Sequence, residues 1–422
     1  MNAAKTRVWS MPVESSAAFA QRCVAFAFLY TLWAMTGPRA LAQTETVLYS
    51  FTGATDGGFP VEGLIRDAEG NLYGTTPAGG LLDKGCGSGG CGTVFEITPT
   101  GAETVLYAFT GKNGDGKAPF SRLMLDWNDN LYGTTLYGGD AGKGIVFEII
   151  SGGAETVLYS FAGGTDGAFP GSGLIRDSKG NLWGTTSGGG HYHGTVFELS
   201  PAGVEKVVFS FPGQEGTSPG GALTLESGNF YGTSSLGGGG SGCAPPGCGL
   251  IFEVTPDGEG RTIYTFTGGA DGARPTGSLV RDAQGNLYGT AAWGGTLNSS
   301  CPQGCGTVYQ LSPGTGSTWD LAVLHSFAGE GDGYHPVASL ARDAKGNLYG
   351  ITSGDNCSSL ACSGTVFAIM ANGSETVLHN FTGGADGLHP YGDLVRDKQG
   401  NLYGTTERGG AFDSGTVYKV TP

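Results

Sequence analysis

The stretch GNLYGTT, residues 70 to 76, reads as a short β-strand with a glycine, Gly74, at its centre. Glycine gives up more backbone freedom on folding than any other residue, so its place in a strand costs roughly 0.5–1 kcal/mol relative to alanine. The same seven positions return as DNLYGTT from Asp129, GNLWGTT from Gly180, GNFYGTS from Gly228, GNLYGTA from Gly285, GNLYGIT from Gly346 and GNLYGTT from Gly400. A cost repeated seven times implies an architectural reason.

The central aromatics, Tyr73, Tyr132, Trp183, Tyr231, Tyr288, Tyr349 and Tyr403, recur every 48 to 61 residues. That spacing belongs to propellers and solenoids. The first unit holds four strand-like runs, GLIRD (63 to 67), NLYGTT (71 to 76), GTVFEI (92 to 97) and ETVLYAF (103 to 109). Four strands per repeat make a propeller blade. The third and fourth runs are apolar on both faces, as expected when each sheet is sandwiched between two others. The sequence therefore predicts an all-β fold, a seven-bladed β-propeller of four-stranded antiparallel blades. Gly74 and its equivalents are read as packing glycines, each letting an aromatic ring of the adjacent sheet lie on the backbone. The chain from residue 43 opens on an outer strand, TVLYSF (46 to 51), and its last run, GTVYKV (415 to 420), is a third strand. This predicts closure by a 3+1 N-/C-terminal strand clasp, which removes an open sheet edge.

Tight DAEGN-type turns (67 to 71) and TPTGAE-type connections fall at one end of the blades, the bottom. Long loops carrying DG motifs and cysteines fall at the other, the top. Function is expected on the top face, because loops held by a rigid scaffold are where binding resides.

The first 42 residues differ in kind. Lys5, Arg7 and Arg22 precede an apolar run from Cys23 to Met35, and Ala40, Leu41 and Ala42 fit a small-x-small cleavage site. We read residues 1–42 as a secretory signal peptide, with an uncleaved anchor as the alternative, and 43–422 as a single propeller domain. The expected localisation is secreted, extracellular or periplasmic, with no membrane attachment after cleavage. The eight remaining cysteines form close pairs, Cys86 with Cys91, Cys243 with Cys248, Cys301 with Cys305 and Cys357 with Cys362. Local disulfides suit an oxidising compartment; zinc would need pairs from separate repeats to converge. Glycine is abundant at 81 residues without a triplet period, which excludes collagen and demands many tight turns. The net charge of −15 argues against nucleic acid, whose binding requires cationic side chains to displace counterions.

Taken together, GNLYGTT, GG…GTVFEI, ETVLYSFTG and DG…P resemble the choice-of-anchor tandem-repeat GloVer family of secreted bacterial proteins over about residues 46 to 420. The resemblance implies a repeat architecture and export, without an established activity. The chain departs from many members in showing no C-terminal sorting or anchor segment, because it ends at Pro422 directly after a strand, so soluble export is expected. More distantly its blades are similar to NHL-type propellers and streptogramin lyases, though no lyase motif carries over.

Residues common to every repeat serve the blade, whereas an asymmetric ligand needs residues that differ between repeats. By that rule the loop aspartates Asp56, Asp115, Asp166, Asp271, Asp332 and Asp386 are turn residues, and the arginines of the RD pairs are structural. Calcium would need several oxygens about one ion, and one carboxylate per loop does not show that, so no cofactor is expected, with calcium as the alternative. Aromatic and histidine residues that vary on the top face are the candidate ligand contacts: Tyr137, Tyr192, Trp293, Tyr334, His335, His389 and Tyr391. Phe59 and Phe169, before loop prolines, belong to the same layer, and His191 and His193 flank Tyr192. Packing of the glycine-rich loops is the competing role for all of them. Two functions follow. One is a monomeric extracellular recognition or scaffold module for a glycan, peptide or surface protein; the alternative is a lyase or hydrolase acting on a polymer at the top of the central channel. No catalytic residue is assigned.

Overall fold

The computed structural model describes residues 43–422 apart from 83–84, 192, 213–217, 240–241, 245, 330 and 355–362. The signal-peptide reading, Tyr192 and the Cys357 and Cys362 pair lie outside the described residues. Seven small antiparallel sheets carry the chain, and the only helical element among the described residues is the 3-10 turn Gly164–Asp166. Blade 1 runs outward from Ile65–Arg66 through Leu72–Thr76 and Thr93–Ile97 to Glu103–Ala108. Blades 2 to 6 repeat that order, and blades 5 and 7 add a short strand, Ala273–Pro275 and Leu388–Pro390, on a lengthened second strand. In blade 7 the outer strand comes from the other end of the chain: Thr44–Ser50 pairs antiparallel with Thr416–Thr421, Val47 opposite Tyr418.

Every outer strand has a bulge at the same place, as between Val94 and Phe95 in blade 1, where Leu106 is the extra residue. A bulge flips the side-chain alternation and adds twist. It supplies a second reason why these strands read as apolar on both faces.

The packing glycines need a correction. Gly74 lies opposite Phe95 of its own sheet, and a Cβ at Gly74 would stand 2.6 Å from the tip of the Phe95 ring and 2.9 Å from Leu64. The ring that needs the glycine therefore comes across the strand pair, not from the adjacent blade. The neighbour contributes a second ring. Phe51, which directly follows the outer strand of blade 7, meets Phe95 edge to face at 5.0 Å, and Phe109 of blade 1 meets Phe147 of blade 2 in the same way at 5.2 Å. The series continues through Phe161–Phe197, Phe211–Phe252, Phe266–Tyr309, Phe327–Phe367 and Phe381–Tyr418. Each seam thus has at least one edge-to-face pair, worth about 0.5–1.5 kcal/mol beyond its buried area.

The tyrosine of NLYG has a different task. In blade 1 the Asp67 carboxylate accepts the Gly70 and Asn71 N–H groups, the Asn71 amide and the Tyr73 hydroxyl, closing the bottom hairpin. Trp183 preserves the donor, its Nε1–H reaching Asp177 at 3.1 Å. In blade 4, where the turn is one residue shorter, Asn229 and Tyr231 donate to Glu253 instead. The RD arginines reach back to the preceding blade: Arg342 lies over Tyr288, Arg396 over Tyr349, and Arg281 pairs with Glu226.

Three disulfides, Cys86–Cys91, Cys243–Cys248 and Cys301–Cys305, each close their own loop, so these six thiols are not zinc ligands. They also reach into the seams, because the carbonyls of Cys91, Cys248 and Cys305 accept the N–H of Ala118, Arg274 and His335 in the following blade.

Outer strands meet through carboxylates. Tyr49 donates to Asp56, Tyr264 to Asp271, and His379 faces Asp386 at 3.3 Å, each tying a top loop to its strand. The next blade brings a glutamate to this place. Burial, and then the charge of Asp386, Asp56, Asp115 or Asp166, pushes Glu45, Glu103, Glu155 and Glu205 up to about 7. One Oε atom of each is buried without a hydrogen-bond partner. In the DAEGN-type turns the sign reverses. Burial alone would raise Asp67, Asp177, Asp282, Asp343 and Asp397, but hydrogen bonds from the turn overcome it and hold them below the usual range.

Deleting residues 43–52 removes the strand that completes blade 7 together with the Phe51–Phe95 contact. The thermal midpoint should fall far more than on removal of an exposed tail; an unchanged midpoint would rule out the clasp.

The seam glutamates also set a pH dependence. A carboxyl raised in the folded state contributes stability that is full below its unfolded value near 4.5 and is lost as pH rises toward about 7. The turn aspartates act oppositely, their contribution disappearing as pH falls below 3.8. His379, lowered chiefly by burial, opposes the glutamates only at one seam. Thermal melts should therefore show a maximum in mildly acidic buffer and a falling midpoint between about pH 5 and 8, flattened in the double variant Glu103→Gln, Glu155→Gln. A midpoint that rises through that range would contradict this assignment.

Candidate functional site

Each top loop enters its inner strand through a proline and, four residues later, a leucine. Pro60 and Leu64, Pro119 and Leu123, and Pro390 and Leu394 are examples. The residue before the proline has a positive φ in six blades: Phe59, Ala118, Phe169, Arg274, His335 and His389 lie between 54° and 59°. Such backbone costs on the order of 1–3 kcal/mol at a non-glycine residue and persists only where the surroundings enforce it. The enforcement comes from the preceding blade. Its carbonyls accept the N–H of these residues, as from Phe59 to Ser414 and from His389 to Ser363. The proline ring covers a glycine there, a Cβ at Gly92 falling 2.5 Å from Pro119. Two residues on, a threonine of the preceding blade's second strand donates to the backbone: Thr405 to the Glu62 carbonyl at 3.1 Å, Thr290 to Ala338 at 2.9 Å and Thr233 to Gly277 at 3.0 Å.

The three residues between proline and leucine are thereby held at the mouth of the central channel, where they line a cavity of 340 Å³. In blades 3 to 6 they are small and uncharged, as in Gly171-Ser172-Gly173 and Gly220-Gly221-Ala222. In blades 7, 1 and 2 the same positions carry Tyr391 and Asp393, Glu62, and Arg122. One arc of the mouth is charged. The rest exposes little beyond backbone and hydroxyls.

Asp393 joins this arc together. Its Oδ1 accepts the Ser339 N–H at 2.7 Å, and Ser339 Oγ in turn accepts the Ser278 N–H at 2.8 Å. Its Oδ2 lies 4.0 Å from Arg122 Nη1, two blades away. That reach depends on Gly63: a Cβ there would stand 2.6 Å from the Asp393 Cβ. The Glu62 carboxyl takes no hydrogen bond or ion pair among the described residues. Burial, and then the Asp393 charge, raises it to about 8. The mouth thus presents the Glu62 carboxyl, an Asp393 carboxyl whose Oδ1 accepts a backbone N–H, and a guanidinium with its Nε buried and unpaired.

Of the residues singled out from the sequence, Tyr391 lines this mouth. The other described ones do not line it. Tyr137 is exposed, at 47 %, and lies edge-on to Phe169 across the seam of blades 2 and 3. Trp293 and His335 are brought together at 4.3 Å over the seam of blades 5 and 6, with Arg274 above the indole. His335 and Tyr334 are buried, Tyr334 against Gly329. His389 Nδ1 lies 3.9 Å from Glu407. The loop aspartates are engaged in turns, Asp271 for instance by the Thr267 N–H and Tyr264 hydroxyl. Among the described residues no group of three or more His, Cys, Asp or Glu side chains is placed to hold a metal ion.

Sequence reasoning missed Glu62, Arg122 and Asp393, although its own rule could find them. Aligning PVEG, PFSR, PGSG, PGGA, PTGS, PVAS and PYGD on their prolines shows two adjacent positions that are small in most repeats, the second after the proline being charged at Glu62 and the third at Arg122 and Asp393.

The Gloeobacter/Verrucomicrobia repeat matches residues 39–193, 82–301 and 240–422, and the chain belongs to that family. No curated protein matches it. Among solved structures, a chain described as the extracellular domain of a hybrid two component system from B. thetaiotaomicron is similar with a TM-score of 0.52 at 11% identity. That match covers 89% of this chain and 39% of the other. A protein from Bacteroides uniformis described as a 6-phosphogluconolactonase gives a TM-score of 0.48 at 16% identity, covering 76% and 85%. A protein described as a gluconolactonase gives 0.43 at 12%, covering 90% and 92%. At these identities the likeness is one of fold.

Proposed function

We propose that this member of the Gloeobacter/Verrucomicrobia repeat family is an exported recognition module that binds a polyhydroxylated ligand, such as the end of a glycan, at the channel mouth on its loop face. The carrying observation is the charged arc of Asp393, Glu62 and Arg122 set into an otherwise small, uncharged rim. Vicinal hydroxyls need donors and acceptors side by side, and the carboxyl groups of Glu62 and Asp393 beside the Arg122 guanidinium offer both. Tyr391 adds an aromatic face of the kind that stacks on sugar rings. Three loop disulfides fit an oxidising compartment and support export.

A glycan screen followed by titration calorimetry tests this reading. Arg122→Ala, Asp393→Ala and Tyr391→Ala should each weaken binding by about 1–3 kcal/mol, the scale of an interface hot spot or a charged hydrogen bond. Trp293→Ala and Tyr137→Ala should leave affinity nearly unchanged, since both rings cover seams. The reverse pattern would move the site from the mouth to the outer loops. Binding of proteins or peptides alone would refute the glycan assignment.

A further inference from the structure

The channel does not stop at the charged arc. A second cavity, of 580 Å³, continues along the inner strands, and Arg122, Gly173, Ala222, Ser278, Ser339 and Asp393 line both it and the mouth. Its wall changes character with depth. Residues two apart on a strand face the same way, so the position after next from Asp393 is Val395, from Arg122 is Met124 and from Ser278 is Val280. Ile65, Ile175 and Ala341 hold that place in three further blades, leaving Thr224 as the one polar member. Beyond them Arg342 and Arg396 mark the far end.

A ring of aliphatic side chains around an open hole is poorly served by water, and the volume lies in the range of ligand pockets. A polar collar above an apolar well has the two-part chemistry of an amphiphile. We propose that the channel takes the aliphatic tail of a ligand whose hydroxylated head sits at the mouth, a glycolipid-like compound rather than a plain sugar. The proposal rests on the mouth reading for the head and on the inner-strand wall for the tail.

Methyl, butyl, hexyl and octyl β-D-glucosides, each below its micelle concentration, separate the two parts by titration calorimetry. Burial of a methylene contributes ~0.8 kcal/mol, so affinity should rise about fourfold per added methylene until the well is filled. Val280→Thr, close in volume but polar, should reduce that gain and leave methyl glucoside unaffected. Ala222→Leu, which narrows the passage, should abolish the gain. Should Ala222→Leu fail to fold, the Val280→Thr result decides alone. Affinity independent of chain length, with Arg122→Ala still weakening methyl glucoside, would overturn the tail site and leave the mouth reading standing. Failure of every glucoside to bind would overturn the proposal, and a chain-length gain untouched by Val280→Thr would place the tail elsewhere.

Discussion

An aromatic ring lying on a glycine, seven times around a circle, is the contact on which the rest of this structure depends. Phe95 covers Gly74 within blade 1, and the edge of Phe51 from the preceding blade then meets Phe95. Without the glycine the ring could not lie flat on its own sheet, and without the ring the preceding phenylalanine would lack its partner. The entropy lost at each glycine is thus offset by an aromatic pair at a blade seam, two terms of about the same size. Because Phe51 directly follows the first strand of the domain, which pairs with the last, the same contact sits where the circle closes.

The joint at the top depends on that spacing. Blades held at a fixed separation let each proline rest on the preceding blade's glycine, as Pro119 on Gly92, and let threonines such as Thr405 grip the next backbone. What remains free to vary is a three-residue span per blade, already positioned at the channel mouth. Charge placed there is held in place by the scaffold: Asp393 crosses Gly63 to approach Arg122 only because the backbone of blade 1 is pinned where it is. The shared residues build the ring, and the departures from them build the site.

Much of the fold was legible because its causes are local. Gly74 and its equivalents, the DAEGN turns and the terminal runs TVLYSF and GTVYKV each carry their own signal. The source of the ring over Gly74 was not legible, since a cross-strand and a between-blade contact demand the same residue types. The bulge at Leu106 was hidden for a similar reason: it mimics a strand buried on both faces. The candidate residues at the channel mouth were less legible. Histidine and tryptophan drew attention by their chemistry, yet His335 and Trp293 stack on each other over a seam, and Tyr334 is buried. Glu62, Arg122 and Asp393 belong to common residue types in unremarkable tetrapeptides, and only their shared position at the channel, a property of the closed ring, brings them together.

The central claim is most directly tested by one pair of substitutions in blade 2. Gly133 lies under Phe147, where a Cβ would stand 2.6 Å from the ring, whereas a Cβ at Gly152 would meet nothing within 4 Å and that residue has no positive φ. Urea denaturation of Gly133→Ala should show a loss of about 1–3 kcal/mol from overpacking, with Gly152→Ala unchanged or slightly stabilised. Equal midpoints for the two variants would contradict the account, because the glycine would then be dispensable to the ring it is held to support.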